Sequence, residues 1–402
     1  MRKLYLFLIS IVLLLLCSCV GNEEKIINTD PAEIKERIIK EPEPLIIEPI
    51  DEKSKAEILL EGMTLREKVG QLFIVRPEAL NFSLEGDFDS KSISLQMETS
   101  LKDYPVGGFI MADNNLDSPD QVANFINDLQ AVGQIPLFIS VDEEGGPVSR
   151  LANHPNFDLK KYRSAANVGK SGKYEDAYEM GATIGEYLNK YGFNLDFAPV
   201  ADVNTNPNNP VIGSRAFSSD PELVALMAGA FADALRDKGI IPTFKHFPGH
   251  GDTREDSHKE LAISYKTEDE LKACEFIPFQ SAGEDDLLMV GHIALPNVTG
   301  NNTPATMSKK IVSDILKGTL NFKGLVVTDA LEMKTITSLY DPSESAVKAL
   351  EAGCDILLMP ADLRQAFDGI VKAVDEGRYS EEDLDKKVLG ILNLKEKLLL
   401  TP

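Results

Sequence analysis

From Ser54 onward the chain alternates short apolar runs with amphipathic segments. The candidate strands are Gln71–Val75, Gly108–Met111, Leu137–Val141, Asn194–Ala198, Ile241–Phe244, Leu287–Val290, Leu325–Thr328 and Asp355–Met359. Most are continuously apolar rather than alternating, as strands covered on both faces should be. Helix signals lie between them. Ser118-Pro119-Asp120-Gln121 combines an N-cap, a first-turn proline and a capping-box partner. Thr64 with Glu67, and Thr267 with Glu270, repeat the box, and Asp220-Pro221 opens a helix that should end near Gly239. Eight strand–helix pairs over about 345 residues predict the α/β class: a single (β/α)8 TIM-type barrel with some enlarged loops. The alternative is a doubly wound open sheet. Nothing like GxGxxG follows the first strand, so dinucleotide binding is unsupported.

The first 54 residues do not join this pattern. Met1-Arg2-Lys3 is a positive leader, and Leu4–Leu16 is an apolar run too short for a comfortable membrane span. It ends in Leu16-Cys17-Ser18-Cys19, which resembles a bacterial lipobox. Cys19 is the expected acylated residue because the small Ser18 precedes it, whereas Cys17 follows Leu16. A plainly cleaved signal peptide and an uncleaved anchor are the alternatives. The following stretch is rich in Glu, Pro, Lys and Ile, and Pro31, Pro42, Pro44 and Pro49 break any regular element. The expected organisation is therefore a lipoprotein signal peptide over 1–18, a flexible tether from lipidated Cys19 over 19–54, and a catalytic barrel over 55–402. Such a protein would sit outside the cytoplasm and touch the membrane through its lipid only.

A net charge of −23 argues against nucleic acid and against adhesion to an anionic membrane surface. No CxxC pair exists, and Cys274 and Cys354 lie in apolar contexts, expected buried and reduced. No cofactor and no obligate protein partner is implied.

The densest chemistry is the run from Lys245 to His258, which holds three of the five histidines, a lysine, an arginine and three acids. Pro248, Gly249 and Gly251 turn it away from helix. A barrel also demands that catalytic groups lie at the C-terminal ends of strands. Asp142 follows the third strand, Lys245 and His246 the fifth, His292 the sixth and Asp329 the seventh. Charged groups just past several apolar runs are costly as core, so they point to a cleft.

Three chemistries compete. A metal could take His246, His250, Asp252 and His258, but Pro248-Gly249 prevents the helix that would put the first two on one face, and Lys245 would repel a cation. Acyl transfer by Ser257 lacks a GxSxG elbow. Glycoside hydrolysis needs a carboxylate beneath the sugar and an acid/base beside the leaving oxygen. Asp329 stands at a strand end, a rigid platform for the first, and Asp256 is spaced to orient the His258 imidazole for the second.

The segment is similar to the signature of family 3 glycoside hydrolases, in the β-N-acetylhexosaminidase branch. Matching stretches include Met63–Phe73, Asp142-Glu143-Glu144-Gly145-Gly146, Asp202–Pro207 leading to Gly213–Phe217, Ala294-Leu295-Pro296, Pro304–Ser308 and Thr328–Met333. The resemblance implies a retaining exo-β-N-acetylglucosaminidase acting on peptidoglycan- or chitin-derived oligosaccharides with a terminal β-linked N-acetylglucosamine. It implies Asp329 as nucleophile, His258 as acid/base and Asp256 as its partner. It assigns Lys245, His246 and Arg215 to the hydroxyls and acetamido group of the sugar, and Asp142 and Arg150 to its outer hydroxyls. The sequence departs at Pro147, where the family often has arginine. Gly249 and Gly251 would give the loop hinge freedom, and His292 would either support the site or touch substrate. A phosphorylase or a β-glucosidase of the same family, and a silent sugar-binding lipoprotein, are the rival readings.

Overall fold

The computed structural model describes residues 53–82, 89–255 and 260–399. The expected signal peptide, most of the tether, Cys19, and the Asp256–His258 pair lie outside the described residues.

The described residues form ten strands: β1 Phe73–Val75, β2 Gly108–Met111, β3 Phe138–Val141, β4 Leu195–Asp196, β5 Ile241–Phe247, β6 Ala262–Ile263, β7 Leu287–Val290, β8 Ile293–Ala294, β9 Leu325–Thr328 and β10 Leu357–Leu358. Eight of them form one parallel sheet in the order β10-β1-β2-β3-β4-β5-β7-β9. A parallel bridge between Val327 and Ile356 joins its two edges, so the sheet closes into the expected barrel. Closure removes the edges of this sheet. Each residue of β1, β2, β3, β5, β7 and β9 is buried, which is why those runs read as continuously apolar.

The strand limits differ from expectation in physically informative ways. Gln71 ends the helix Leu65–Gln71, so β1 begins two residues late. β5 continues through Phe247, which places Lys245 and His246 inside a strand rather than beyond one. β6 and β8 pair with each other in parallel, Ala262 with Ile293 and Ile263 with Ala294. Two-residue strands leave no periodic signal, and neither was anticipated.

The caps follow the sequence. Thr64 and Thr267 form complete capping boxes with Glu67 and Glu270. Ser118 caps the helix Pro119–Val132, but the Gln121 side chain accepts from Asp117 N instead of closing the box. Asp220 caps the helix Pro221–Asp237. This helix packs on the helix Tyr174–Tyr191 so closely that a Cβ on Gly181 would lie 2.5 Å from the Phe231 carbonyl oxygen. The buried Tyr187 of the helix Tyr174–Tyr191 reaches Glu143, just past β3.

The opposite end of the barrel is closed by the helix Glu381–Leu399. Its Lys395 is buried and donates 2.8 Å bonds to Gln71 Oε1 and the Gly107 carbonyl. The ammonium also lies 4.7 Å from the centroid of the Phe138 ring. Burial pushes the Lys395 pKa down to about 7.

Candidate active site

The C-terminal ends of β3, β4, β5, β7 and β9 present their polar residues to one mouth. Lys245, on β5, lies between two carboxylates: its Nζ is 2.7 Å from Asp142 Oδ1 and 2.7 Å from Glu144 Oε1. Arg215, on the turn Gly213–Arg215, forks onto Glu144, with Nε 2.9 Å from Oε2 and Nη2 2.7 Å from Oε1. This is the planar, two-bond geometry that guanidinium and carboxylate favour. Burial works against the Glu144 charge, but Arg215 and Lys245 outweigh it and hold the carboxyl far below the usual range. The Lys245 ammonium is likewise opposed by burial and sustained by Asp142 and Glu144, which raise its pKa.

His246 is fixed by Asp202. The ring Nδ1 is 2.7 Å from Asp202 Oδ2, and the His246 and His250 amides donate to the same carboxylate at 3.2 and 2.6 Å. His246 Nε2 stands 3.5 Å from Arg215 Nη2. Burial opposes the Asp202 charge, but His246 and the His250 amide hold its carboxyl below the ordinary range. The peptide bonds Lys245–His246, Phe247–Pro248 and Ala198–Pro199 are cis.

Asp329 follows β9. Its amide donates to the Val290 carbonyl at 2.9 Å, and its Oδ1 accepts the Ala330 amide at 2.8 Å. The next turn is tied to β10, Leu331 N to Leu358 O and Glu332 N to Met359 O, both at 2.9 Å. His292, fully buried, lies 2.9 Å from Thr306 Oγ1 through Nδ1 and 2.9 Å from the Ala330 carbonyl through Nε2. It therefore supports the turn carrying Asp329. Asp142 and Arg150 face the opening, with Arg150 Nη2 4.0 Å from Asp142 Oδ2.

The loop after β5 is closely packed at its glycines. A Cβ on Gly251 would lie 1.9 Å from the Val203 carbonyl oxygen. Gly249 has φ +121°, and a Cβ there would lie 2.5 Å from Glu275. Both are points of close approach. His250 is buried, its Nδ1 2.7 Å from Thr253 Oγ1, and Asp252 receives Ser264 Oγ at 3.2 Å. Among the described residues, no group of three or more His, Cys, Asp or Glu could hold a metal ion. Cys354 is buried as expected, but Cys274, just past the short helix Glu268–Lys272, is only half-buried; both are free thiols.

The structure thus gathers Asp142, Arg150, Arg215, Lys245, His246 and Asp329 at one end of the barrel. Sequence reasoning assigned no role to Glu144, Asp202, Glu143 or Asp196. The strand-end rule applied to the fourth strand would have found Asp202, which lies just past Val200 and Ala201.

Residues 64–394 match the model of the glycosyl hydrolase family 3 N-terminal domain. The chain is 32% identical over 345 residues to beta-hexosaminidase A of Pseudoalteromonas piscicida, covering 78% of this chain and 57% of that protein. It is also 32% identical to the beta-hexosaminidase LpqI of Mycobacterium tuberculosis, covering 82% of each chain. A family 3 β-N-acetylglucosaminidase from a Paenibacillus strain superimposes with a TM-score of 0.77 at 37% identity, over 83% of this chain and 62% of that one.

Proposed function

The chain belongs to glycosyl hydrolase family 3, and from that premise we propose that it is a retaining exo-β-N-acetylglucosaminidase. Its substrates would be peptidoglycan- or chitin-derived oligosaccharides ending in β-linked N-acetylglucosamine. The observation that carries this reading is the placement of Asp329. It is half-buried on a strand end, with its turn pinned on both sides, and opens into the mouth that holds the Lys245–His246–Arg215 array.

The chemistry is a double displacement. Asp329 attacks the anomeric carbon as the bond to the leaving oxygen breaks, and the leaving oxygen takes a proton from His258. A glycosyl ester forms on Asp329. His258 then removes a proton from water, the water oxygen attacks the anomeric carbon, and the carboxylate departs with configuration retained. Asp256 orients the imidazole. Lys245, His246 and Arg215 grip hydroxyl and acetamido oxygens, and Asp142 with Arg150 holds the hydroxyls farthest from the reacting carbon. No metal or organic cofactor enters these steps.

The lipobox-like Leu16-Cys17-Ser18-Cys19 supports attachment to a bacterial membrane, outside the cytoplasm, through a lipid on Cys19.

The test is a rate comparison of an aryl β-N-acetylglucosaminide with the aryl β-glucoside, each with and without phosphate. Preference for the acetamido sugar, with free sugar released under both conditions, is the expected result. Faster glucoside turnover overturns the substrate. Sugar 1-phosphate as the main product assigns a phosphorylase.

A further inference from the structure

We infer that Glu143 is a positioning residue: it sets the spacing between Asp142 and Arg150, and through them the discrimination at the outer hydroxyls of the sugar. This rests on the function proposed above. Glu143 does not face the opening. It is fully buried, between Asp142 and Glu144 at the end of β3.

The chain leaves β3 at Asp142, reverses through Gly145 and Gly146 with φ of +77° and +92°, and returns along itself. Glu143 pairs with Ser149 across the turn, and Glu144 N donates to the Val148 carbonyl at 2.9 Å. The Glu143 carboxylate closes the loop. Its Oε2 accepts the Leu151 amide at 2.9 Å, and its Oε1 accepts the Ala152 amide at 3.0 Å and the Tyr187 hydroxyl at 2.7 Å. The Glu143 amide is itself held by Asp196 Oδ1 at 2.9 Å. Asp142 immediately precedes Glu143, and Arg150 immediately precedes Leu151. One buried carboxylate therefore fixes both arms of the clamp, and Tyr187 ties it to the long helix Tyr174–Tyr191.

The site favours a carboxylate here over its amide. Three donors converge on two oxygens, and a glutamine would offer one oxygen and two N–H groups to an array that already donates. Burial raises the Glu143 pKa, while the converging donors pull against it. Burial, with the Glu143 charge beside it, pushes the Asp196 carboxyl well above the ordinary range.

An exo-acting glycosidase meets the free 4-hydroxyl of the terminal sugar, so the axial 4-epimer reports on the clamp. The experiment measures kcat and KM at a temperature well below unfolding for aryl β-N-acetylglucosaminide and aryl β-N-acetylgalactosaminide. Wild type is compared with Asp142→Ala, Glu143→Gln and Tyr187→Phe. Loss of folded enzyme lowers both substrates equally, so the ratio of their kcat/KM values isolates positioning from stability.

Asp142→Ala should cut the ratio by about tenfold or more. Glu143→Gln should cut it by about threefold to tenfold, mainly through KM for the gluco substrate, and Tyr187→Phe should move it the same way by less. If Asp142→Ala moves the ratio while Glu143→Gln and Tyr187→Phe leave it at the wild-type value, the inference is overturned and the clamp itself survives. If Asp142→Ala leaves the ratio unchanged, the assignment of Asp142 to the outer hydroxyls is overturned instead. Should Glu143→Gln fail to fold, Tyr187→Phe decides.

Discussion

Lys245 Nζ and Glu144 Oε1 are 2.7 Å apart, with side chains only 3% and 2% exposed. Two charges so far from water persist because each has a second partner: Asp142 for the lysine and Arg215 for the glutamate. The four groups form a fixed array at the mouth of the barrel. Breaking a buried pair leaves a charge uncompensated and costs more than the pair itself contributes. Glu144→Gln should therefore lower unfolding free energy by about 3 kcal/mol, read from urea denaturation. It should also depress kcat/KM, because Arg215 and Lys245 lose the carboxylate that orients them. An unchanged urea midpoint would show that Glu144 is dispensable to the array.

Two buried aspartates at this end of the barrel should respond differently to the same change. Burial pushes the Asp196 carboxyl well above the ordinary range, and its working contact is the Glu143 amide on Oδ1, a bond that an asparagine oxygen can also accept. Asp196→Asn should cost within about 1 kcal/mol at neutral pH. Asp202 is ionised and takes His246 Nδ1 together with the His246 and His250 amides. Asp202→Asn should cost about 2 kcal/mol or more and lower activity, because the His246 ring and the two amides lose a charged acceptor. Thermal unfolding with initial rates separates the two, and equal damage from both would contradict the opposite effects of their surroundings on the two carboxyls.

Lys395 gives a pH dependence of definite sign. Its pKa is about 7 in the fold against 10.5 ordinarily, so between those values the unfolded chain binds a proton that the folded one does not. Stability contributed by this site must then rise as pH increases from about 7 to about 10.5, by up to about 5 kcal/mol for the full 3.5-unit difference. Lys395→Met removes the titration. The stability difference between wild type and Lys395→Met, followed by urea denaturation across that range, should drift in favour of wild type as pH rises. A flat difference would mean that the lysine stays charged inside the barrel end.

Cys19→Ala should move the protein from the membrane fraction to the soluble or secreted fraction and abolish incorporation of labelled palmitate. Cys17→Ala should leave both unchanged. The reverse pattern would transfer the lipid to Cys17.

The barrel was legible because its strands are buried on both faces, so Gly108–Met111, Leu287–Val290 and Leu325–Thr328 are unbroken apolar runs whose limits are those of the observed strands. Capping residues marked helix starts for the same local reason: Thr64 and Thr267 need only a partner three residues on. What stayed hidden was cooperative. Glu144 matters because Arg215, distant in sequence, forks onto it. At Gly249 and Gly251 the sequence shows a missing Cβ but not the close approach it permits. The structure shows that Val203 and Glu275 fill the space a side chain would need. β6 and β8 are specified by each other rather than by any run of their own.

The most direct test of the central claim is to trap the glycosyl-enzyme. The protein would be incubated with a 5-fluoro-N-acetylglucosaminyl fluoride, digested, and its labelled peptide identified by mass spectrometry, with the anomer first released from substrate read by NMR. The account predicts a covalent sugar on Asp329, absent in Asp329→Ala, and a product of retained configuration. A label on another carboxylate, or an inverted first product, would contradict it.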